Sequence, residues 1–418
     1  MLYVTDLLTI TDNIQVDGLV TKETQHNDDV IVVMSSNDSS LLTPMNTSAV
    51  QTDDKNITNS NMTSSAGIHN NVTSDAPPQR DFTWDGPYNV SIPLPVGRYS
   101  VISCSTPMRD QFNYAFILPL TVKAWTRIQY HTLVLLVGSQ EYWLSSFPLR
   151  VVLSELSVTG ARVVFIETSY EHTVMVSQTV RLFASDLFSW EDPLRSSIVT
   201  SDADLWPMMA GAYDLAEGKN ILSLNSECCR KLNRHNLTFK MLPIGNIAMT
   251  VQQWRNIMHI DQSERSNAMN IQSQHRIDAI SILKYFHAEF GDAVYRPTQK
   301  GENEGWYMDQ IMISLRIEQW LNQFDVNRTM IQYVGRNTRR DRIDRRSWRS
   351  SLTLHRVVDC HVLKDAYHRG TWERLYALLR LMYAQSQLDL LSNYRHNFIM
   401  TLSKSVQMPI PPIHKTVP

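Results

Sequence analysis

Two aspartates stand one residue apart near the middle of the chain, directly after a short apolar run at residues 197–200. They are Asp202 and Asp204. Side chains at i and i+2 of extended backbone face the same side, so both carboxylates could bind one divalent cation. The carboxyl end of a strand is where open α/β sheets place their ligands, and such a cation would neutralise a diphosphate. A D-x-D triplet also arises by chance, and a solvated pair of acids is the alternative.

The order of motifs around this pair resembles the GT-A class of glycosyltransferases. The resemblance rests on a predicted strand followed by D-x-D and, much later, by Asp309-Gln310 at the start of a predicted helix. It covers residues 114–368. The resemblance implies that Asp202 and Asp204 bind Mn²⁺ or Mg²⁺ together with the diphosphate of a nucleotide-sugar donor such as a UDP-sugar. It implies that Asp309 is the catalytic residue that faces the acceptor or the sugar. The Asp-Gln pair favours retention of the anomeric configuration.

The position of Asp309 also has a physical rationale. A carboxylate in the first turn of a helix is stabilised by the helix dipole and can present its oxygens to sugar hydroxyl groups. Helix capping is the alternative role. Trp306, three residues earlier, could stack on a sugar face, although an aromatic residue that begins an amphipathic helix more often packs in the core.

A histidine from the C-terminal part completes the metal site in many enzymes of this class. Residues 357–363 form a short apolar run in which Asp359 and His361 share a face by the same i, i+2 rule. The resemblance therefore favours His361 as the third metal ligand, ahead of His355 and His368. A lone histidine is more often structural than ligating, which is the alternative.

The most basic segment of the chain, residues 339–349, is the candidate for phosphate contact. Arg345 or Arg346 could bind phosphate oxygens through the planar guanidinium group. Asp341 and Asp344 interrupt the basic run, so an exposed, internally paired surface segment is the favoured alternative. The same interruption, with few aromatic residues between the basic ones, argues against nucleic acid as a partner.

The nucleotide base is expected at the ends of the first and third predicted strands. Leu120 ends the first of these strands, and Glu167 and Thr168 end the third; position at a strand end is the whole argument for them. Gly245 and Gly138 could mark turns where the backbone approaches a ligand, with a plain turn glycine as the alternative.

Short β-rich runs alternate with helical patterns from residue 114 onward, which predicts an α/β fold. We expect a GT-A-like, Rossmann-like central sheet, mainly parallel and flanked by helices. The predicted strands are residues 114–120, 132–138, 161–168, 197–200 and 220–224. The predicted helices are residues 149–156, 174–184, 277–290, 306–324 and 372–394.

The chain is expected to have one folded domain, residues 86–400, and a tail, residues 401–418. Residues 1–85 are rich in Asn, Ser and Thr and poor in aromatics, a composition that cannot bury enough apolar surface to offset its ordering entropy, so we predict a disordered stem. With 43% hydrophobic residues the whole chain can bury a sizeable core.

The secretory lumen, in particular the Golgi, is the expected compartment. Eight N-x-[ST] triplets support it, although a polar tract generates such triplets by chance; they begin at Asn37, Asn46, Asn56, Asn61, Asn71, Asn89, Asn236 and Asn327. The four cysteines form no C-x-x-C pair. No apolar run is long enough to span a membrane and no signal peptide is evident, so membrane attachment would need an N-terminal anchor that is missing here.

Three functions remain open on the sequence. The first is transfer of a sugar from a nucleotide-sugar donor to a hydroxyl of a glycan or protein acceptor. A haloacid-dehalogenase-type phosphotransferase also places D-x-D after a strand, but a Thr or Val usually stands two residues beyond the second Asp, where this chain has Trp206. The third is a catalytically silent relative that binds a nucleotide or glycan. The net charge of -2 favours neither nucleic acid nor an anionic membrane.

Overall fold

The computed structural model describes residues 86–107, 112–226, 229–259, 277–295, 304–334, 342–343 and 357–405. The chain divides into two units, Met1–Asp75 and Ala76–Pro418. The first unit lies outside the described residues, as does the predicted stem up to residue 85.

Twelve strands lie in this described part. In chain order they are Arg98–Ser105 (β1), His131–Val137 (β2), Arg162–Ile166 (β3), Ser197–Ser201 (β4), Leu205–Pro207 (β5), Ile221–Leu224 (β6), Lys231–Arg234 (β7), Leu237–Lys240 (β8), Ile247–Thr250 (β9), Ile331–Val334 (β10), Arg342–Ile343 (β11) and Asp359–His361 (β12).

Ten α-helices lie in the same residues. They are Asn113–Arg127 (α1), Gln140–Ser145 (α2), Phe147–Val158 (α3), Thr173–Thr179 (α4), Ala184–Leu187 (α5), Val251–Met258 (α6), Ala279–Phe290 (α7), Met308–Gln323 (α8), Arg369–Met382 (α9) and Gln385–Ser405 (α10). None of the described helices is long and apolar enough to cross a membrane.

The central sheet has the strand order β10-β6-β9-β4-β1-β2-β3. Strand β9 runs antiparallel to β4 and β6, and the other pairs in this sheet are parallel. The predicted mainly parallel α/β sheet flanked by helices is therefore confirmed. Strand β1 has β2 on one side and β4 on the other, so the chain changes direction across the sheet between β1 and β4. Ligands of open α/β sheets bind in the crevice at such a switch point.

Alternate residues of the central strands face two different cores. On β1, Val101 packs with α4, α6, α7 and α8 in one apolar cluster. Its neighbour Ile102 packs with α1, α3, α9 and α10 in the other. This alternation follows from the period of two along a strand, and it leaves the sheet buried on both faces, as parallel sheets require.

The first predicted strand, residues 114–120, is wrong because these residues lie inside helix α1. Every residue of this helix from Ala115 to Trp125 is buried except Lys123. A helix that is buried nearly all round shows no amphipathic period, so its apolar run cannot be told from a buried strand by pattern. Pro119 lies within the helix.

Strand β1 was not predicted, and its serines explain why. Ser100 and Ser103 interrupt the apolar pattern but are buried. Their hydroxyl groups are satisfied inside the protein: Ser100 Oγ donates to Thr132 Oγ1 at 3.2 Å, and Ser103 Oγ donates to the carbonyl of Ser177. A buried polar group with a partner costs little.

The single long helix predicted over residues 372–394 is two helices, α9 and α10. The break falls at Tyr383, whose backbone is extended with φ -134° and ψ 149°. Helix α10 continues through residue 405, past the predicted start of the tail at residue 401.

Replacing Phe398 by Ala tests whether α10 is an integral part of the core. Phe398 is fully buried and its ring lies 4.9 Å from that of Phe116 on α1. Loss of a buried Phe side chain should lower the free energy of unfolding by about 3–5 kcal/mol, measured by urea denaturation. Phe324→Ala, at a site that is 59% exposed, should change it by less than about 0.5 kcal/mol. Equal stabilities for the two variants would contradict the docking of α10 on α1.

Candidate metal centre

Backbone pairing brings the three predicted metal ligands together. Asp202 and Asp204 lie between the end of β4 and the start of β5. Strand β12 pairs antiparallel with β5, which sets His361 opposite Leu205. The backbone N–H of Val362 then donates to the carbonyl of Asp204 at 2.8 Å. His361 is thereby fixed beside the two aspartates, although it comes from a distant part of the sequence.

The ligand atoms of Asp202, Asp204 and His361 all lie within 4.8 Å of one another. Asp204 is buried, whereas the Asp202 side chain is 38% exposed and His361 is half-buried. Two carboxylates and an imidazole are ligands that suit Mn²⁺, Zn²⁺ or a similar divalent cation. The residues therefore fit a divalent cation at the carboxyl end of β4, beside the switch point of the sheet.

Arg181 joins this centre to the third predicted carboxylate. Its Nη1 donates to Asp202 Oδ1 at 2.5 Å and to the carbonyl of Ser201 at 3.0 Å. Its Nη2 donates to Asp309 Oδ2 at 2.9 Å, and Nε donates to the carbonyl of Gln178. The guanidinium group is 6% exposed and Asp309 is 3% exposed, so the pair is shielded from water and fixes the distance between Asp202 and Asp309.

Arg181 also sets the charge of Asp202. Burial alone would raise the pKa of this carboxyl, but the guanidinium of Arg181, helped by His361 and Arg342, lowers the pKa below its usual value. A carboxyl with a lowered pKa is ionised throughout the neutral range. Asp202 is therefore in the charged form that binds a cation.

A buried ion pair lies beside His361. Asp359 is fully buried and accepts a hydrogen bond from Asn225 Nδ2 at 3.0 Å. It forms an ion pair with Arg342, whose Nε lies 3.2 Å from Asp359 Oδ1. The Nη2 of Arg342 lies 2.7 Å from His361 Nε2. Arg342 therefore lies between the Asp359 carboxylate and the His361 ring, and its guanidinium can donate only to a ring nitrogen that carries no proton.

Gly245 leaves the space that Asp202 occupies. A Cβ at this position would lie 2.8 Å from Asp202 Oδ2, so the close backbone approach expected at this glycine is to a metal-ligand side chain. Gly138 has φ +117°, and a Cβ there would meet Thr106 at 2.6 Å. Both positions therefore require glycine for reasons of space, and Gly138 for its backbone conformation as well.

The structure removes the reason for choosing Leu120 as a contact for the base. Leu120 was chosen as the end of a strand, but it lies within α1 and is 1% exposed, so that premise was wrong. Glu167 and Thr168 do follow β3. Glu167 Oε1 accepts a hydrogen bond from the backbone N–H of Gln140 at 2.8 Å, at the edge of a cavity of about 490 Å³.

The remaining candidates are distributed as follows. Arg345, Arg346 and His355 lie outside the described residues. His368 is exposed at the start of α9 and is not among the three residues whose ligand atoms converge. Trp306 is half-buried just before α8.

Arg181 and Arg342 are the site residues that the sequence interpretation missed. Arg181 had a signal, because it lies between Val180 and Leu182 in a stretch that otherwise predicted a buried helical stripe. A charge in a buried stripe needs a partner, and that partner is the Asp202–Asp309 pair.

No family model and no curated protein matches this chain. Solved structures do match, and three of them are as follows. The galactosyltransferase LgtC, crystallised with donor and acceptor sugar analogues, is 13% identical over 70% of this chain and 99% of its own, with a TM-score of 0.36. An active-site mutant of LgtC is 12% identical over 68% and 95%, with a TM-score of 0.37. The PaToxG glycosyltransferase is 11% identical over 58% and 84%, with a TM-score of 0.23. These are glycosyltransferases, the class that the motifs resemble, but at these TM-scores the likeness carries no argument about the site.

Replacing Arg181 by Met should leave Asp309 buried without its counter-ion. We expect the free energy of unfolding to fall by about 3–5 kcal/mol, measured by urea denaturation. The exposed Arg195→Met should change it by less than about 0.5 kcal/mol. Combining Arg181→Met with Asp309→Asn should cost less than the sum of the two single changes, because both remove the same interaction. Strictly additive effects would show that Arg181 and Asp309 are not coupled.

Proposed function

We propose that this protein is a metal-dependent glycosyltransferase that uses a nucleotide-sugar donor. The observation that carries the proposal is the convergence of Asp202, Asp204 and His361 within 4.8 Å at the carboxyl end of β4. The resemblance of D-x-D and the later Asp309-Gln310 to the GT-A class agrees with it.

The donor would lie in the crevice between the carboxyl ends of β1 and β4, the switch point of the sheet. Asp202, Asp204 and His361 would hold Mn²⁺ or Mg²⁺ there. When bound, the cation supplies positive charge to the departing diphosphate, a form of electrostatic stabilisation that is often the largest catalytic effect. Arg342, next to His361, would add a second positive charge near the diphosphate.

Asp309 is our candidate for the carboxylate that faces the sugar or the acceptor. Its Oδ2 accepts from Arg181 and its Oδ1 accepts from the backbone N–H of Gln310 at 2.8 Å. Burial raises the pKa of Asp309, although Arg181 and the Gln310 N–H act to lower it. A carboxyl group has more lone pairs than these two bonds use, so capacity remains for a hydroxyl group. Gln310 is half-buried beside it and would offer its side-chain amide to the same ligand. The Asp-Gln pair leads us to favour retention.

We place the reaction in the secretory lumen, with a glycan or a protein as the acceptor. The support from the described residues is that the sequon asparagines Asn89, Asn236 and Asn327 are exposed, as glycosylation requires. Asn236 lies in the turn between β7 and β8, with φ 60°.

Asp204→Ala should abolish metal-dependent release of nucleoside diphosphate. We expect the rate with Mn²⁺ and a panel of nucleotide sugars to fall by about 100- to 1,000-fold, because one of two carboxylate ligands is lost. Asp389→Ala, on the exposed face of α10, is the matched control and should keep full activity. Undiminished activity in Asp204→Ala would remove the metal assignment. Wild-type protein that binds donors without releasing diphosphate would point to a silent relative, and release of inorganic phosphate instead to a phosphotransferase.

Asp309→Asn should spare donor binding and depress transfer. The substitution preserves shape but removes the charge that would orient a hydroxyl group, so we expect kcat to fall by about 100-fold and the donor Kd to change by less than about threefold. Isothermal titration with the nucleotide and a transfer assay separate the two quantities. Full transfer activity would exclude Asp309 from a central role.

A further inference from the structure

A hydroxyl group on α1 reaches the backbone between the two aspartates. Thr121 Oγ1 donates to the carbonyl of Ala203, the residue between Asp202 and Asp204, at 2.5 Å. The same oxygen accepts a hydrogen bond from Trp206 Nε1 at 2.9 Å. Thr121 and Trp206 are fully buried, so water does not compete for either bond.

The geometry at Thr121 differs from that of an ordinary helical threonine. A threonine in a helix usually donates back to the carbonyl four residues earlier. For Thr121 that carbonyl belongs to Ile117 and lies at 3.3 Å, considerably farther than Ala203. The single hydroxyl proton therefore belongs to the contact with Ala203. Thr126, on the same helix, shows the ordinary pattern, with its hydroxyl donating to the carbonyl of Val122 at 3.0 Å.

A second contact lies one helical turn farther along α1. Trp125 Nε1 donates to Ser201 Oγ at 3.1 Å, and Ser201 Oγ donates to the carbonyl of Asp202 at 3.1 Å. Side chains four residues apart lie on the same face of a helix. One face of α1 thus contacts the side chain of Ser201 before the two aspartates, the backbone of Ala203 between them and the side chain of Trp206 after them.

These contacts matter because a metal site depends on the placement of its ligands. The segment from β4 to β5 is short, and a small rotation of the Ala203 peptide would change the separation of the two carboxylates. Groups that orient metal ligands from behind typically affect metal affinity by about 10- to 100-fold. Helix α1 is itself fixed, since Tyr394 Oη on α10 donates to the carbonyl of Phe116 at 2.8 Å.

We propose that Thr121 is a positioning residue for the metal centre: by bonding Ala203 and Trp206 at once, it sets the arrangement in which Asp202 and Asp204 bind one cation. This inference rests on the proposed metal-dependent function. It assigns to α1 a role in cation affinity that is separate from its packing in the core.

The test is a titration of the full chain with Mn²⁺ alone, with free Mn²⁺ measured by electron paramagnetic resonance. Thr121→Val keeps the shape of the side chain and removes the hydroxyl, and we expect the Mn²⁺ Kd to rise by about tenfold. Thr121→Ser restores the hydroxyl and should bring the Kd to within about threefold of wild type. Thr126→Val removes a hydroxyl that makes only the local contact, and it should leave the Kd unchanged.

Phe398→Ala separates positioning from general loss of stability, because it removes a buried side chain of α10, a helix that carries none of the three candidate ligands, and keeps the bond from Tyr394 to α1. It should leave the Mn²⁺ Kd unchanged. Should Thr121→Val fail to fold, Trp206→Phe replaces it, since that change removes one of the two contacts and keeps an aromatic ring; we then expect the Kd to rise by about threefold. A wild-type Kd in Thr121→Val, or in Trp206→Phe as its replacement, overturns the inference alone. Wild-type protein that binds no Mn²⁺ overturns the proposed metal site, and with it this inference.

Discussion

Close approach of like charges is the physical constraint on which the site depends. Asp202 and Asp204 stand one residue apart, and Asp309 comes to the same region from α8. Carboxylates gathered at the edge of a buried sheet repel one another and lose hydration. Arg181 offsets part of this cost, because its guanidinium bonds Asp202 and Asp309 at once. Because the two carboxylates share one guanidinium group, their negative charge is only partly neutralised, and this favours binding of a further cation.

The surrounding fold supplies the rigidity that this arrangement needs. The parallel strands bring their carboxyl ends to one edge of the sheet, and the short antiparallel pairing of β12 with β5 brings His361 to the same place. Helix α1 holds the backbone of the D-x-D segment from one side, and Arg342, which is paired with Asp359, lies beside His361 on another. Asp202 and His361 are thus held by backbone hydrogen bonds and by a neighbouring guanidinium group, and contacts of this kind maintain ligand geometry.

Much of the fold and the metal centre could be predicted because local rules carry the information. A short apolar run that ends in polar residues predicted β2, β3, β4 and β6, and it placed Asp202 and Asp204 at the carboxyl end of β4. The i, i+2 rule for extended backbone does not describe this pair, because the residues form a turn in which the Leu205 N–H donates to the Asp202 carbonyl at 3.1 Å. His361 was found only through the resemblance to a known class, since its approach to Asp204 depends on long-range pairing that no local pattern contains. The strand that Leu120 was expected to end was wrong because α1 is buried nearly all round, and burial on every side removes the helical period.

Residues whose partners lie far away in sequence could not be predicted. Ser100 and Ser103 look out of place in a strand until Thr132 and Ser177 lie beside them, and Arg181 looks out of place in an apolar helix until Asp202 and Asp309 do. In each case the tertiary partner, not the local sequence, offsets the cost of burying a polar group.

The most direct test of the metal centre is an anomalous difference map from crystals of this protein grown with Mn²⁺ and UDP. We expect one strong peak about 2.0–2.3 Å from a carboxylate oxygen of Asp202, one of Asp204 and a ring nitrogen of His361, with the diphosphate of UDP on its open side. Manganese bound elsewhere, or carboxylates of Asp202 and Asp204 turned away from each other around an ion-free site, would contradict it.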